Sequence, residues 1–325
     1  MRSRARLWFN SIALAVGLIA LAFVLNALGW AGLDQAITGT GAWFAAIAAV
    51  DLVSVACDAF AIHGLLGRTA SYWNVFAAEA SGIAINRLTP GNTLGEPVKV
   101  TMLTRQTTTT DAVAAVVLFN LVTMYVGIAA IALGVPITAL LLDLPRAAAI
   151  VAWVGLAVLV AFAIVVALLV KRGAVATLVR GLVRIRAISV RRSEAWTARL
   201  GDLDAQLKQL GDANRKHIRR GLAGVLGSRL CNGLGTVLVI HACGIATTPP
   251  LVVAMLSVGI LVTWFSNVVP LGLGIADGTN YALYDLLGAT SAEGLVFTMV
   301  NRVRTVVLAL MGLTIMAIAN AFARR

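Results

Sequence analysis

Val75 to Leu88 is a mostly apolar arm of fourteen residues that stops at the sequence PGNTLGEP. As a helix it would rise roughly 21 Å, too little for the ~30 Å hydrocarbon core of a bilayer. The arm is therefore expected to enter a membrane and turn back. Pro90, Gly91 and Gly95 break the helix, and Thr93 and Glu96 carry capping-box spacing for a second short helix. The expected element is a helical hairpin near 75–104. Non-helical backbone at membrane depth survives only when it is buried in protein or faces a watery cavity, so the break marks a place where something polar is handled.

The surrounding chain is a membrane chain. Hydrophobic residues make up 60% of it, charged residues only 12%, and the mean hydropathy is +0.91. Several stretches meet the transmembrane length criterion. A net charge of +12 in a soluble protein would point to nucleic acid, but here topology distributes it and no nucleic-acid partner is expected. Cys57, Cys231 and Cys243 sit in apolar stretches without metal-ligand spacing and are read as free packing thiols.

Three arginines precede an apolar run from about Ser11 to Gly29, which is long for a signal peptide and is read as an uncleaved first helix. Spanning helices are expected at about 42–66, 112–133, 147–170, 222–243 and 295–322. Residues 171–220 are dense in Arg and Lys. There Trp196, Leu200, Leu203, Leu207 and Leu210 recur at spacings of four and three, the pattern of an amphipathic helix lying on anionic inner-leaflet lipids. A second break then appears at VVPLGLGIADGTN, where Pro270, Gly272 and Gly274 interrupt an apolar run and Asp277 follows. Leu251 to Val268 is also long enough to span; the C-terminal arginine pair favours the re-entrant reading.

Charge fixes an expected orientation. With the N-terminus inside, cytoplasmic segments hold 22 of the 26 Lys and Arg. The first hairpin then enters from the cytoplasm and the second from outside. The expected fold is all-α: a polytopic membrane bundle of about six spanning helices plus two re-entrant helical hairpins in inverted repeats. Residues 1–140 form the first repeat, and residues 141–325 form the second, with the basic segment 171–220 and a hairpin near 251–287. Inverted repeats with broken helices belong to alternating-access transporters.

PGNTLGEPVK, and PLGLGIAD followed by an arginine in the last helix, resemble the two signature regions of the lysylphosphatidylglycerol synthase transmembrane region, a family of flippase-like membrane proteins. The resemblance covers most of the chain. It implies functional positions at Pro90, Gly95, Glu96 and Lys99, and at Pro270, Gly272, Gly274 and Arg302. Asn120 stands where the family pattern leads one to expect an arginine, Leu271 replaces a glycine, and Asp277 stands where glutamate is common. The resemblance implies movement of a lipid or lipid-linked headgroup across the bilayer. It concerns the membrane region alone and carries no expectation of lysyl transfer.

A charge at mid-bilayer costs about 2.5–3.5 kcal/mol on insertion scales, so Arg229, Arg302 and Arg304 need partners. Lipid phosphate is one; Asp51, Asp58, Glu79 and Asp277 are the others, as structural ion pairs. Arg302 and Arg304 lie about 200° apart on their helix and cannot line one cavity. Arg302 is taken as the substrate-facing one because its place in the repeat matches Asn120. Glu96 reads either as headgroup contact or proton coupling, or as a helix cap; Asp51 and Asp58 as a proton relay or as arginine partners. Gly91 joins Pro90 and Gly95 at the substrate break. His63 and His241 have no third ligand at metal spacing, and neither metal nor cofactor is expected.

No nucleophile, base or metal set suggests a membrane-embedded transferase, and the chain is expected not to be an enzyme. A scaffold for a lipid-modifying enzyme fits the basic segment but does not account for two hairpins with buried charge. The expected substrate is an anionic phospholipid or a polyprenyl-phosphate-linked headgroup, handled in a prokaryotic inner membrane with both termini cytoplasmic. Oligomeric state is not legible.

Overall fold

Apolar helices make up nearly all of the described residues. The computed structural model describes residues 2–28, 37–89, 94–141, 146–171, 215–266 and 274–322. In chain order these give α1 (Arg2–Leu28), α2 (Trp43–Leu65), α3 (Tyr72–Leu88), α4 (Gly95–Leu103), α5 (Thr109–Leu141) and α6 (Arg146–Lys171). There follow α7 (Arg215–Ala242), α8 (Pro249–Met255), α9 (Val258–Ser266), α10 (Ile275–Leu286) and α11 (Ser291–Phe322). Among the described residues there is no strand. Helices α2, α5, α7 and α11 are long and apolar enough to cross a membrane; α1 and α6 carry shorter apolar stretches at 8–22 and 152–168. The amphipathic reading of 171–220 falls almost wholly outside the described residues, as do Pro90, Gly91, Pro270 and Gly272.

Local chemistry explains where the short helices begin and end. Ser71 caps α3, its hydroxyl accepting from the Asn74 N–H at 3.3 Å. At the other end Thr89 turns extended (ψ 144°), as the residue before a proline tends to, and its hydroxyl donates to the Ile85 carbonyl at 2.7 Å. The stretch 249–266 is not one helix. It splits at Leu256 and Ser257 into α8 and α9, and the buried Ser257 hydroxyl donates back to the Val253 carbonyl at 2.7 Å.

The helices that follow the two breaks start with the same device. At α5 the Thr108 hydroxyl accepts from the Asp111 N–H at 3.1 Å. At α11 the Glu293 carboxylate accepts from the Thr290 N–H at 2.6 Å, and the Thr290 hydroxyl accepts from the Glu293 N–H at 3.3 Å. Contacts pair up in the same way. α3 packs on α11, and α8 and α9 pack on α5; α4 meets α5, and α10 meets α11; α1 lies on α11, and α6 lies on α5.

At the centre α2 and α7 run antiparallel and very close. A Cβ on Gly224 would lie 2.7 Å from the Ala61 nitrogen and the Cys57 carbonyl, so only a residue without one lets the backbones approach. Ser54 and Ser228 meet there, hydroxyl to hydroxyl at 3.0 Å, and Asn232 donates to Ser54 at 2.8 Å. Away from the centre Leu222, Leu226, Leu230 and Leu234 form an exposed stripe at every fourth position of α7. In a membrane protein such a stripe faces acyl chains.

Candidate functional site

Two glycines let the first hairpin close. A Cβ on Gly95 would collide with the Gly82 carbonyl and stand 2.7 Å from the Asn86 side chain; one on Gly82 would collide with the Lys99 stem. The arms of α3 and α4 therefore touch backbone to backbone. Asn86 clasps them: its Oδ1 accepts from the Gly95 N–H at 2.6 Å, and its Nδ2 donates to Glu96 Oε1 at 3.0 Å. Among the described residues it is Asn86 that satisfies the first free N–H of α4, from across the hairpin, while Leu94 makes no side-chain cap. Thr93 lies outside the described residues.

Glu96 joins a charged network. Lys99 Nζ lies 3.0 Å from Glu79 Oε1 and 3.2 Å from Glu96 Oε1, and 5.5 Å above the Phe119 ring. Asn120 on α5 donates to Glu96 Oε2 at 3.0 Å. The Lys99 and Glu79 side chains are 4% and 2% exposed, against 27% for Glu96, so Glu96 is the member that reaches the open. Glu79 Oε2 has no hydrogen-bond partner among the described residues. Asp58 on α2 lies against Ser228, within electrostatic reach of Glu79, Lys99 and Arg229. Arg229 also donates to the Thr123 carbonyl at 3.2 Å.

The second hairpin is built by a different glycine. Gly274 takes φ 80° and ψ −46°, a conformation that strains any residue with a Cβ, and Asp277 accepts from its N–H at 2.9 Å. Arg302 on α11 reaches Asp277 Oδ2 at 2.5 Å. Thus each break has an acidic residue in the first turn beyond it, Glu96 or Asp277, and each is met by a side chain from the following long helix, Asn120 or Arg302.

Arg304 points elsewhere. Its Nε donates to Asp51 Oδ2 at 2.7 Å, and Nη2 closes a second bond to Asp51 Oδ1. Asp51 and Asp58, which the sequence places on one face, therefore have separate partners and are not brought together, two helical turns (about 10 Å) being too far for a direct proton relay. Sequence reasoning missed Asn86 and Arg87. It assigned Arg87 to a cytoplasmic segment, yet Arg87 sits in the last turn of α3, beside Arg304 and Asp51. Its signal was present: it belongs to the arm that is too short to span, next to the break.

Continuous apolar helices with ionised groups paired inside them define an integral membrane protein of the polytopic helical class. The sequence profile of the lysylphosphatidylglycerol synthase TM region matches residues 10–312, nearly the whole chain, and the protein belongs to that family. No curated protein and no solved structure matches it.

Proposed function

We propose that the protein moves an anionic phospholipid, or a polyprenyl-phosphate-linked headgroup, between the leaflets of a prokaryotic inner membrane, without covalent chemistry. The observation that carries this reading is the pair of matched contacts at the two breaks, Asn120 to Glu96 and Arg302 to Asp277. Polar groups at a break inside an apolar bundle are costly unless they serve a path. Matched breaks further suggest two halves, α1–α5 and α6–α11, related as inverted repeats with both termini cytoplasmic. The shared capping at Thr108 and Thr290 and the paired packing of the helices support that relation. The residues assigned to the headgroup path are Glu96, Lys99, Asn120, Arg229, Asp277 and Arg302, with the N-termini of α4 and α10 adding partial positive charge. The acyl chains stay in the bilayer while the headgroup crosses, and the basic segment 171–220 rests on inner-leaflet anionic lipid.

The test uses purified protein in vesicles that carry a fluorescent anionic phospholipid. Equilibration should be faster than in empty vesicles, and Glu96→Gln and Arg302→Ala should each slow it about tenfold or more, the loss of one charge-assisted hydrogen bond. A folded Arg302→Ala protein working at the normal rate rejects the role given to that residue. No acceleration for a phospholipid or a polyprenyl phosphate rejects transport and favours a scaffold.

A further inference from the structure

Charge does not cancel evenly inside the bundle. With every group ionised, Asp58, Glu79 and Glu96 face Lys99 and Arg229, which leaves one negative charge at the first hairpin. Asp277 and Arg302 cancel. Asp51 alone faces both Arg304 and Arg87, which leaves one positive charge. Asp51 is already committed to Arg304 through both of its oxygens. Among the described residues nothing forms a hydrogen bond or ion pair with the Arg87 guanidinium. A half-buried arginine at the tip of a membrane hairpin is costly without an anion.

The same three helices leave a groove beside these charges. Asp51 and Arg304 line a shallow crevice together with Leu308 and Met311. Leu308 and Met311 also line a second shallow crevice with Val55 and Ile83, so the two adjoin along α11. The spacings agree: Asp51 and Val55 lie one turn apart on α2, Ile83 and Arg87 one turn apart on α3, and Arg304, Leu308 and Met311 follow one face of α11. Each helix thus carries apolar residues along the groove and one charge beside its end. On α7, Gly235 makes room for the guanidinium, since a Cβ there would stand 2.6 Å from Arg304 Nη2.

We infer that this groove binds one anionic phospholipid, an acyl chain lying against Ile83, Leu308 and Met311 and the phosphodiester held by Arg87 with Arg304 beside it. The inference rests on the lipid reading above and names a station on the lipid's way that is distinct from the Arg302 side of α11. A phosphodiester carries the single negative charge that the cluster lacks, and a guanidinium fork matches two of its oxygens. Asp51 keeps Arg304 in place, with Nε and Nη2 turned to the carboxylate, so Arg87 is the main donor. The apolar groove selects a lipid over a free anion.

The test reads binding rather than transport. Full-length protein is taken from phosphatidylcholine nanodiscs doped with phosphatidylglycerol, and retained lipid is counted by native mass spectrometry. Wild type should keep one phosphatidylglycerol. Arg87→Gln should keep about tenfold less or lower still. Leu308→Trp, which fills the groove and leaves every charge in place, should lose it too, and Arg146→Gln, an exposed change, should retain it as wild type does. Should Arg87→Gln not fold, Leu308→Trp decides alone. Unchanged retention in either folded variant overturns the site, as does displacement of the lipid by excess inorganic phosphate. Retention that falls in both variants while no lipid crosses proteoliposomes leaves this site standing and rejects transport. Transport with unchanged retention does the reverse.

Discussion

Lys99 is the residue on which the first hairpin's charge depends. Its ammonium meets Glu79 and Glu96 while its stem lies over Gly82, so removing it strands a carboxylate that is 2% exposed. Breaking a buried pair from one side costs about 3–5 kcal/mol, far more than an exposed pair is worth. We predict that Lys99→Met lowers the free energy of unfolding in detergent by about 3–5 kcal/mol and that adding Glu79→Leu recovers part of it. A single variant as stable as wild type contradicts the ion-pair assignment. Glu96, Lys99, Asn120 and the acidic partners of the arginines were legible because a charged or amide side chain stands out in an apolar run. Arg87 was not, since counting charges by segment treats every arginine between two spans as a loop residue. Asn86 was hidden for another reason: its role depends on a neighbour nine positions on, brought back by a turn.

At the level of elements, the positions of both breaks could be read from Pro and Gly, but the reason for each glycine could not. Gly95 is required by the close approach of two helices, and Gly274 by its own backbone angle. These causes predict different responses to alanine. Gly274→Ala meets open space and should cost about 1–3 kcal/mol of stability through strain alone, while the hairpin keeps its shape. Gly95→Ala should drive α3 and α4 apart, and with them Glu96 from Asn86, so transport is lost even where the protein still folds. Thermal unfolding and lipid-transport rates measured on both variants separate the two causes; equal behaviour contradicts them. Sequence periodicity placed α2 and α6 to within a residue at each end, but α1 and α7 start nine and seven residues earlier, and α5 ends eight residues later, than the apolar runs alone suggest, because a helix continues past its apolar core into polar or mixed sequence. It could not resolve the split of 249–266 into α8 and α9, because no Pro or Gly marks Leu256 and Ser257.

For the whole molecule, an inverted repeat was expected from charge and breaks; the Thr-x-x-Asp and Thr-x-x-Glu starts of α5 and α11 are a further likeness in the sequence, on which that expectation did not rest. Contacts between distant helices, such as Ser54 with Ser228, were out of reach, since no local pattern pairs residues 174 apart. The proposed topology puts the turn after α4 inside and the turn after α7 outside. In a background with Cys57, Cys231 and Cys243 replaced by alanine, a membrane-impermeant thiol reagent should reach Thr247→Cys in intact cells and Thr108→Cys only after lysis. Labelling of both from one side contradicts the inverted arrangement. Transport itself is tested most directly by counting vesicles. When the protein is diluted across liposomes until some hold none, the fraction whose inner-leaflet anionic phospholipid becomes accessible to an external quencher should follow the fraction that contains the protein. We predict this proportionality, with the response abolished in vesicles carrying folded Gly95→Ala protein; an accessible fraction equal to that of empty liposomes at every protein ratio contradicts transport by this protein.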